Sequence, residues 1–127
     1  MAYKAVYENW QADPEGFWME QAKAIDWDRM PSKALFDDNA PLYEWYADGL
    51  VNTCYNAVDR HVERGRGDQV AIIHDSPITH TKHEITYAEL RDRVASLAGA
   101  LRAKGIEKGD RVIIYMPMIP EALEAML

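Results

Sequence analysis

Between Gln69 and Met116, two short apolar runs flank one strongly signalled helix, and this arrangement limits the fold more than any other part of the chain. "QVAIIH" (69–74) and "RVIIYM" (111–116) are continuous apolar runs of the kind found in strands covered on both faces. Thr86-Tyr87-Ala88-Glu89 between them is a T-x-x-E capping box, in which the threonine side chain takes the N3 amide and the glutamate reaches back to the cap amide. Leu90, Val94, Leu97, Ala98 and Leu101 then recur on one helical face, and Gly105 stands where that helix should end. Strand, helix, strand predicts an α/β fold whose two runs lie parallel in one sheet, with the helix 87–104 crossing over one face in the right-handed sense. The intervening "ITHTKHEITY" reads as a small hairpin or an irregular edge, and Pro120-Glu121 opens a further helix. Two strands do not make a stable parallel sheet, so the fold is expected to be incomplete at residue 127.

The first part of the chain has another pattern. Tyr3, Val6, Tyr7 and Trp10 have helical spacing, and a second helix restarts after Asp13 as N-cap with Pro14 at its first position. Trp18, Ala22 and Ile25 share a face of it. Residues 26–41 lose all period and predict an irregular stretch packed by Trp27 and Phe36. "PLYEWYADGLVN" suggests a short extended pair around the Asp48-Gly49 turn. Asn52 opens a helix with Cys54, Val58, His61 and Val62 on one side, stopped at Gly65. The expected organisation is therefore an N-terminal helical wrapping segment, 1–50, and then an α/β unit, 51–127.

Composition excludes several classes of function. A formal charge of −7, with the basic residues scattered, provides no footprint for a phosphate backbone, so nucleic acid is not an expected partner. The apolar run Val112–Ile119 is interrupted by Pro117 and is far shorter than the ~20 residues a membrane span needs. Cys54 is the sole cysteine, which rules out an intrachain disulfide framework and suits a reducing compartment. "MAYKAVYENW" has no targeting pattern, and the expectation is a cytoplasmic protein. All four tryptophans lie within the first 45 residues, which suggests a segment that docks through aromatic anchors.

Candidate chemistry is sparse. His74, His80 and His83 are close in sequence, but their spacing matches no zinc pattern, and surface or structural roles are favoured over metal. His74-Asp75-Ser76 holds the residue types of a hydrolase triad, yet neighbours on a strand point to opposite faces. The carboxylate pairs Asp26/Asp28 and Asp37/Asp38 are read as caps and turns, and Arg66-Gly67-Asp68 as a turn before a strand. Gly65, Gly67, Gly105 and Gly109 come after helices and before strands, the reverse of a phosphate cradle. Cys54 is read as core, not nucleophile. From these residues no catalytic, cofactor-binding or metal-binding position is assigned.

Three stretches carry a family resemblance: "DPEGFWMEQAKAIDW", "EWYADGLVNTCYNAVDRHVERGRGDQVAII" and "ITYAELRDRVASLAGALRAKGIEKGDRVIIYMPMIPEA". In this order they resemble the N-terminal part of the short-chain AMP-forming acyl-CoA synthetases, the acetate and propionate CoA ligases of the adenylate-forming superfamily. The third, from Thr86 to Pro117, is similar to the opening of the superfamily's large domain. Phe17-Trp18 and Asn52–His61 narrow it to the short-chain branch. Within that branch, "PLYEWYADGLVNTCYNAVDRHVERGRGDQVAIIHDSPITHTK" is more similar to the propionate ligases than to the acetate ligases. The resemblance implies a two-step ligation in which ATP and a small carboxylate give an acyl-adenylate and pyrophosphate, and coenzyme A then displaces AMP. It also implies magnesium with the nucleotide, and as partner the remainder of the same enzyme. The family's phosphate loop, CoA loops and catalytic lysine match nothing within 127 residues, so this piece alone is expected to be inactive and to self-associate through uncovered apolar faces. The alternative from the residues is an independent, non-catalytic binding or oligomerisation module.

Overall fold

The computed structural model describes residues 3–127, and the chain divides into two compact units, Met1–Asn52 and Thr53–Leu127. In the first unit, helix α1 (Tyr3–Ala12) carries an aromatic ladder, with Tyr3 stacked on Tyr7 at 6.2 Å and Tyr7 tilted against Trp10 at 5.6 Å. Helix α2 (Pro14–Ala22) begins as its sequence dictates. The Asp13 carboxylate accepts the Gly16 amide at 2.9 Å, and Pro14 fills a position whose N–H would have no helical partner. Where α2 ends, the indole of Trp27 donates to the Ala22 carbonyl at 2.8 Å.

The segment 26–52 is organised by pairing at a distance. Strand β1 (Leu35–Phe36) runs antiparallel to β2 (Glu44–Trp45), and Arg29 bridges Leu50. The extended pair expected around Asp48-Gly49 does not form, because both of its arms find partners in the stretch read as irregular. The Asp48 carboxylate is occupied in holding the Ser32 amide at 3.1 and 3.2 Å. Trp27, by contrast, packs here as expected, edge-on to Tyr46 at 5.6 Å. A Cβ at Gly49 would sit 2.7 Å from the ring of Trp27, so only glycine lets the backbone approach that indole.

The second unit opens with a helical stretch that contains two π-type segments, Tyr55–Asp59 and Val62–Arg66, and breaks at Gly65 with φ +80°. Strand β3 (Val70–Ser76) and strand β4 (Thr81–Thr86) form an antiparallel hairpin with a register irregularity between Val70 and Ile72. Helix α3 (Tyr87–Ala103) starts with both halves of the capping box formed, and Gly105 takes φ +85° just beyond its end. Helix α4 (Pro120–Glu124) has proline in its first turn. The core is small: Val58, Ile85, Leu90 and Val94 are buried, with Cys54, Ala71, Ile72 and Leu127 packed against them.

The expected parallel sheet is the principal correction. Among the described residues Arg111–Met116 pairs with no strand, and β3 pairs only with the antiparallel β4. A strand needs neighbours for its backbone groups and cover for its side chains. Here Ile113 is 89% and Tyr115 99% exposed, while Ile73 on the open face of β3 is 62% exposed. Among the described residues the apolar run lacks the strands that would make it part of a sheet. No helix of the described residues is long and apolar enough to cross a membrane.

Candidate functional site

Two clefts and one side-chain cluster concentrate the structure's chemistry, and each lies within a single unit. In the first unit a cleft of about 520 Å³ is lined by Trp10, Pro14, Trp18, Leu35 and Trp45. Its aromatic wall is braced from behind: Trp18 meets Trp45 edge-on at 5.6 Å, and the Tyr46 hydroxyl donates to the Trp18 carbonyl at 3.0 Å. The Glu15 carboxylate accepts the amide of buried Ala34, tying α2 to the chain leading into β1. Burial, with Glu15 beside it, raises the pKa of Tyr46, so its hydroxyl stays a neutral donor. The two acids at the rim are thus engaged in the fold, Asp13 as a cap and Glu15 as a brace.

In the second unit His61, Arg66 and Tyr87 form a clasp between the π-type segment and the start of α3. The His61 ring lies 4.9 Å from that of Tyr87, and the Arg66 guanidinium sits over the same phenol at 5.5 Å. Arg66 also reaches His61 Nδ1 at 3.1 Å and donates to Gln69 Oε1 at 2.7 Å. Since an arginine can only donate, Nδ1 must be the unprotonated acceptor. Burial, then the positive charges of Arg66, Arg60 and Arg64, hold the His61 pKa below its ordinary value. The Arg66-Gly67-Asp68 tripeptide is therefore built into a packed turn by its arginine. Cys54 lies against the core, and burial with Asp59 at 3.9 Å pushes its thiol pKa up, which suppresses the nucleophilic thiolate.

A polar cleft of about 360 Å³ lies between the hairpin and the approach to α4, with His74, His83, Glu84, Arg93 and Glu121 on its walls. His74 and His83 are directly opposed in the β3–β4 register. Sequence spacing alone presents the three histidines as an unpatterned group. The hairpin selects two of them, leaving His80 in the turn at φ +53°. Asp75 and Ser76 come after His74 along β3, with Asp75 opposed to Lys82 and Ser76 to Thr81, and no triad forms. Asp37 pairs with Lys33 at 3.7 Å, and the Asp28 amide bonds the Leu50 carbonyl. Among the described residues no three His, Cys, Asp or Glu side chains are grouped to hold a metal ion. Nor do they build a nucleotide cradle: Gly65 takes positive φ in a turn leading into β3, and Gly105 and Gly109 take it well ahead of α4, not at its N-terminus. The described residues do not fit an ATP–magnesium site.

Residues 58–127 match the family model for AMP-binding enzymes, and residues 3–57 match that of the acetyl-coenzyme A synthetase N-terminus. The chain belongs to the AMP-binding enzyme family. Its relatives include a short-chain family member 3 acyl-CoA synthetase of Bos taurus, named as mitochondrial, 49% identical over 98% of this chain and 18% of its own length. An acetyl-coenzyme A synthetase of Streptomyces coelicolor is 50% identical over 96% of this chain and 19% of its own. The solved structure of acetoacetyl-CoA synthetase from Streptomyces lividans superposes with a TM-score of 0.79 at 29% identity, covering 99% of this chain and 20% of that one. The fold is accordingly that of part of an acyl-CoA synthetase, and the chain spans about a fifth of the length of the curated relatives it matches.

Proposed function

We propose that the chain forms the N-terminal part of an AMP-forming acyl-CoA ligase, with 1–50 as a wrapping segment and 51–127 as the opening of the large domain. The observation that carries this reading is the uninterrupted order of the two family matches, the synthetase N-terminus over 3–57 and the AMP-binding enzyme over 58–127. The unpaired apolar run Arg111–Met116 supports it, since a segment of strand-forming composition with Tyr115 fully open to solvent is suited to insertion between further strands. The ligase would join a short carboxylate to coenzyme A at the expense of ATP, releasing AMP and pyrophosphate with magnesium on the phosphates. Propionate is the proposed acid, ahead of acetate, on the resemblance of the stretch beginning at Pro41. The cytoplasm is the proposed compartment, on the single cysteine.

In this reading the residues in hand position and do not react. α3 and the hairpin give the large domain a capped, packed edge, while chemistry belongs to segments beyond them. Incubating the 127-residue chain with ATP, propionate, coenzyme A and magnesium should therefore release no AMP above a blank. AMP release that depends on the chain would overturn the expectation that this part alone is inactive. For the acid, kcat/KM of the complete enzyme should be higher for propionate than for acetate, and the reverse order would refute that choice.

A further inference from the structure

His74 and His83 are opposed across the hairpin, and neither imidazole is hydrogen-bonded or ion-paired to a described residue. We propose that the two form a chelating site for a borderline transition-metal dication, of the Zn²⁺ or Ni²⁺ type, that staples β3 to β4. Directly opposed residues of an antiparallel pair have Cβ atoms about 4.5–5.5 Å apart. Two imidazoles carried at that separation can converge on one ion at the ~2.0–2.1 Å that zinc–nitrogen bonds require. Imidazole suits zinc and nickel, whereas calcium and magnesium demand oxygen donors.

The surroundings favour a cation. Glu121 lines the cleft, and Arg93, the positive group among the described lining residues, is engaged by Glu124 at 3.2 Å. The whole chain carries −7. His83 is exposed and His74 half-buried, so an ion can enter from solvent and water can complete its coordination. The absence of a third grouped donor among the described residues sets this apart from a closed structural site. Such a site holds the ion less tightly than a four-ligand one, and its effect is on hairpin register, which a two-stranded ribbon without sheet neighbours secures poorly. Neither the ligation reaction nor the family assignment depends on this site.

Titration calorimetry of the untagged 127-residue chain with zinc chloride, and separately nickel chloride, tests the proposal. At about pH 7.5 one ion per chain should bind, with affinity at least about tenfold lower for His74→Asn and for His83→Asn and unchanged for His80→Asn. Apo thermal melts by circular dichroism verify that each variant is folded. Should His74→Asn unfold, the exposed His83→Asn decides, together with an EDTA-reversible rise in the melting midpoint of the unsubstituted chain. No binding near neutral pH, binding indifferent to His83→Asn, or binding removed by His80→Asn would each overturn the two-histidine site.

Discussion

Replacing Ile85 by alanine is the most informative perturbation of the second unit. Ile85 is 2% exposed and stands at the centre of the cluster with Val58, Leu90 and Val94, joining the hairpin to α3. The change deletes three carbons, worth about 0.8 kcal/mol each in transfer, and leaves a cavity that the surroundings only partly fill. The expected loss is about 3 kcal/mol, a large part of the ~5–15 kcal/mol that holds a domain together. Ile73→Ala is the matched control, one step from Ile72 in the same register but 62% exposed, and should cost under about 0.5 kcal/mol. Urea unfolding monitored by far-UV circular dichroism, with hydrogen exchange of the α3 amides as a local readout, measures both. Equal losses for the two variants would refute the claim that one face of the hairpin carries the core while the other waits for cover.

Thr86→Ala removes the hydroxyl that accepts the Glu89 amide at 3.2 Å and should cost about 1 kcal/mol in urea unfolding, with faster exchange confined to the first turn of α3; no change would remove the capping box from the account. The lowered pKa of His61 means that the unfolded chain takes the proton first as pH falls. The contribution of His61 is therefore fully present above about pH 6.5 and is lost as pH falls toward its folded-state pKa. The stability difference between the unsubstituted chain and His61→Gln should accordingly shrink between about pH 7.5 and about pH 5.5, and a difference that grew would contradict the clasp with Arg66 and Tyr87.

What could be read in the sequence was local. Asp13-Pro14, Thr86-x-x-Glu89 and Gly105 specify helix ends through atoms a few residues apart: α2 starts at Asp13-Pro14, and α3 starts at Thr86 and ends before Gly105, whereas α2 stops at Ala22, short of Ile25, which its spacing places on the same helical face. Pairing at a distance was not legible in the same way. The arms around Asp48-Gly49 looked like partners for each other, but β2 pairs with Leu35–Phe36 and Leu50 with Arg29, contacts that no local pattern encodes. "RVIIYM" has every compositional mark of a buried strand, and composition reports what a segment needs, not whether its neighbours are present. The opposition of His74 and His83 had a signal available, since both lie at equal distance from the Ile78-Thr79 turn. Using it required pairing "QVAIIH" in a definite register with the second half of "ITHTKHEITY", instead of reading the latter as a small hairpin by itself. The family resemblance added what periodicity lacks, and the ordered matches over 3–57 and 58–127 bear it out.

The central claim is that this chain supplies the opening of a short-chain acyl-CoA ligase, and grafting tests it most directly. In the Streptomyces coelicolor acetyl-coenzyme A synthetase, the matching segment would be replaced by this chain, which is 50% identical to it over 122 residues. The chimera's formation of AMP and acetyl-CoA from ATP, acetate and coenzyme A is then measured. The account predicts a folded chimera that turns over, and loss of that turnover when Ile113 within Arg111–Met116 is changed to aspartate. A chimera that folds and remains inactive, or one whose activity is indifferent to Ile113→Asp, would contradict it.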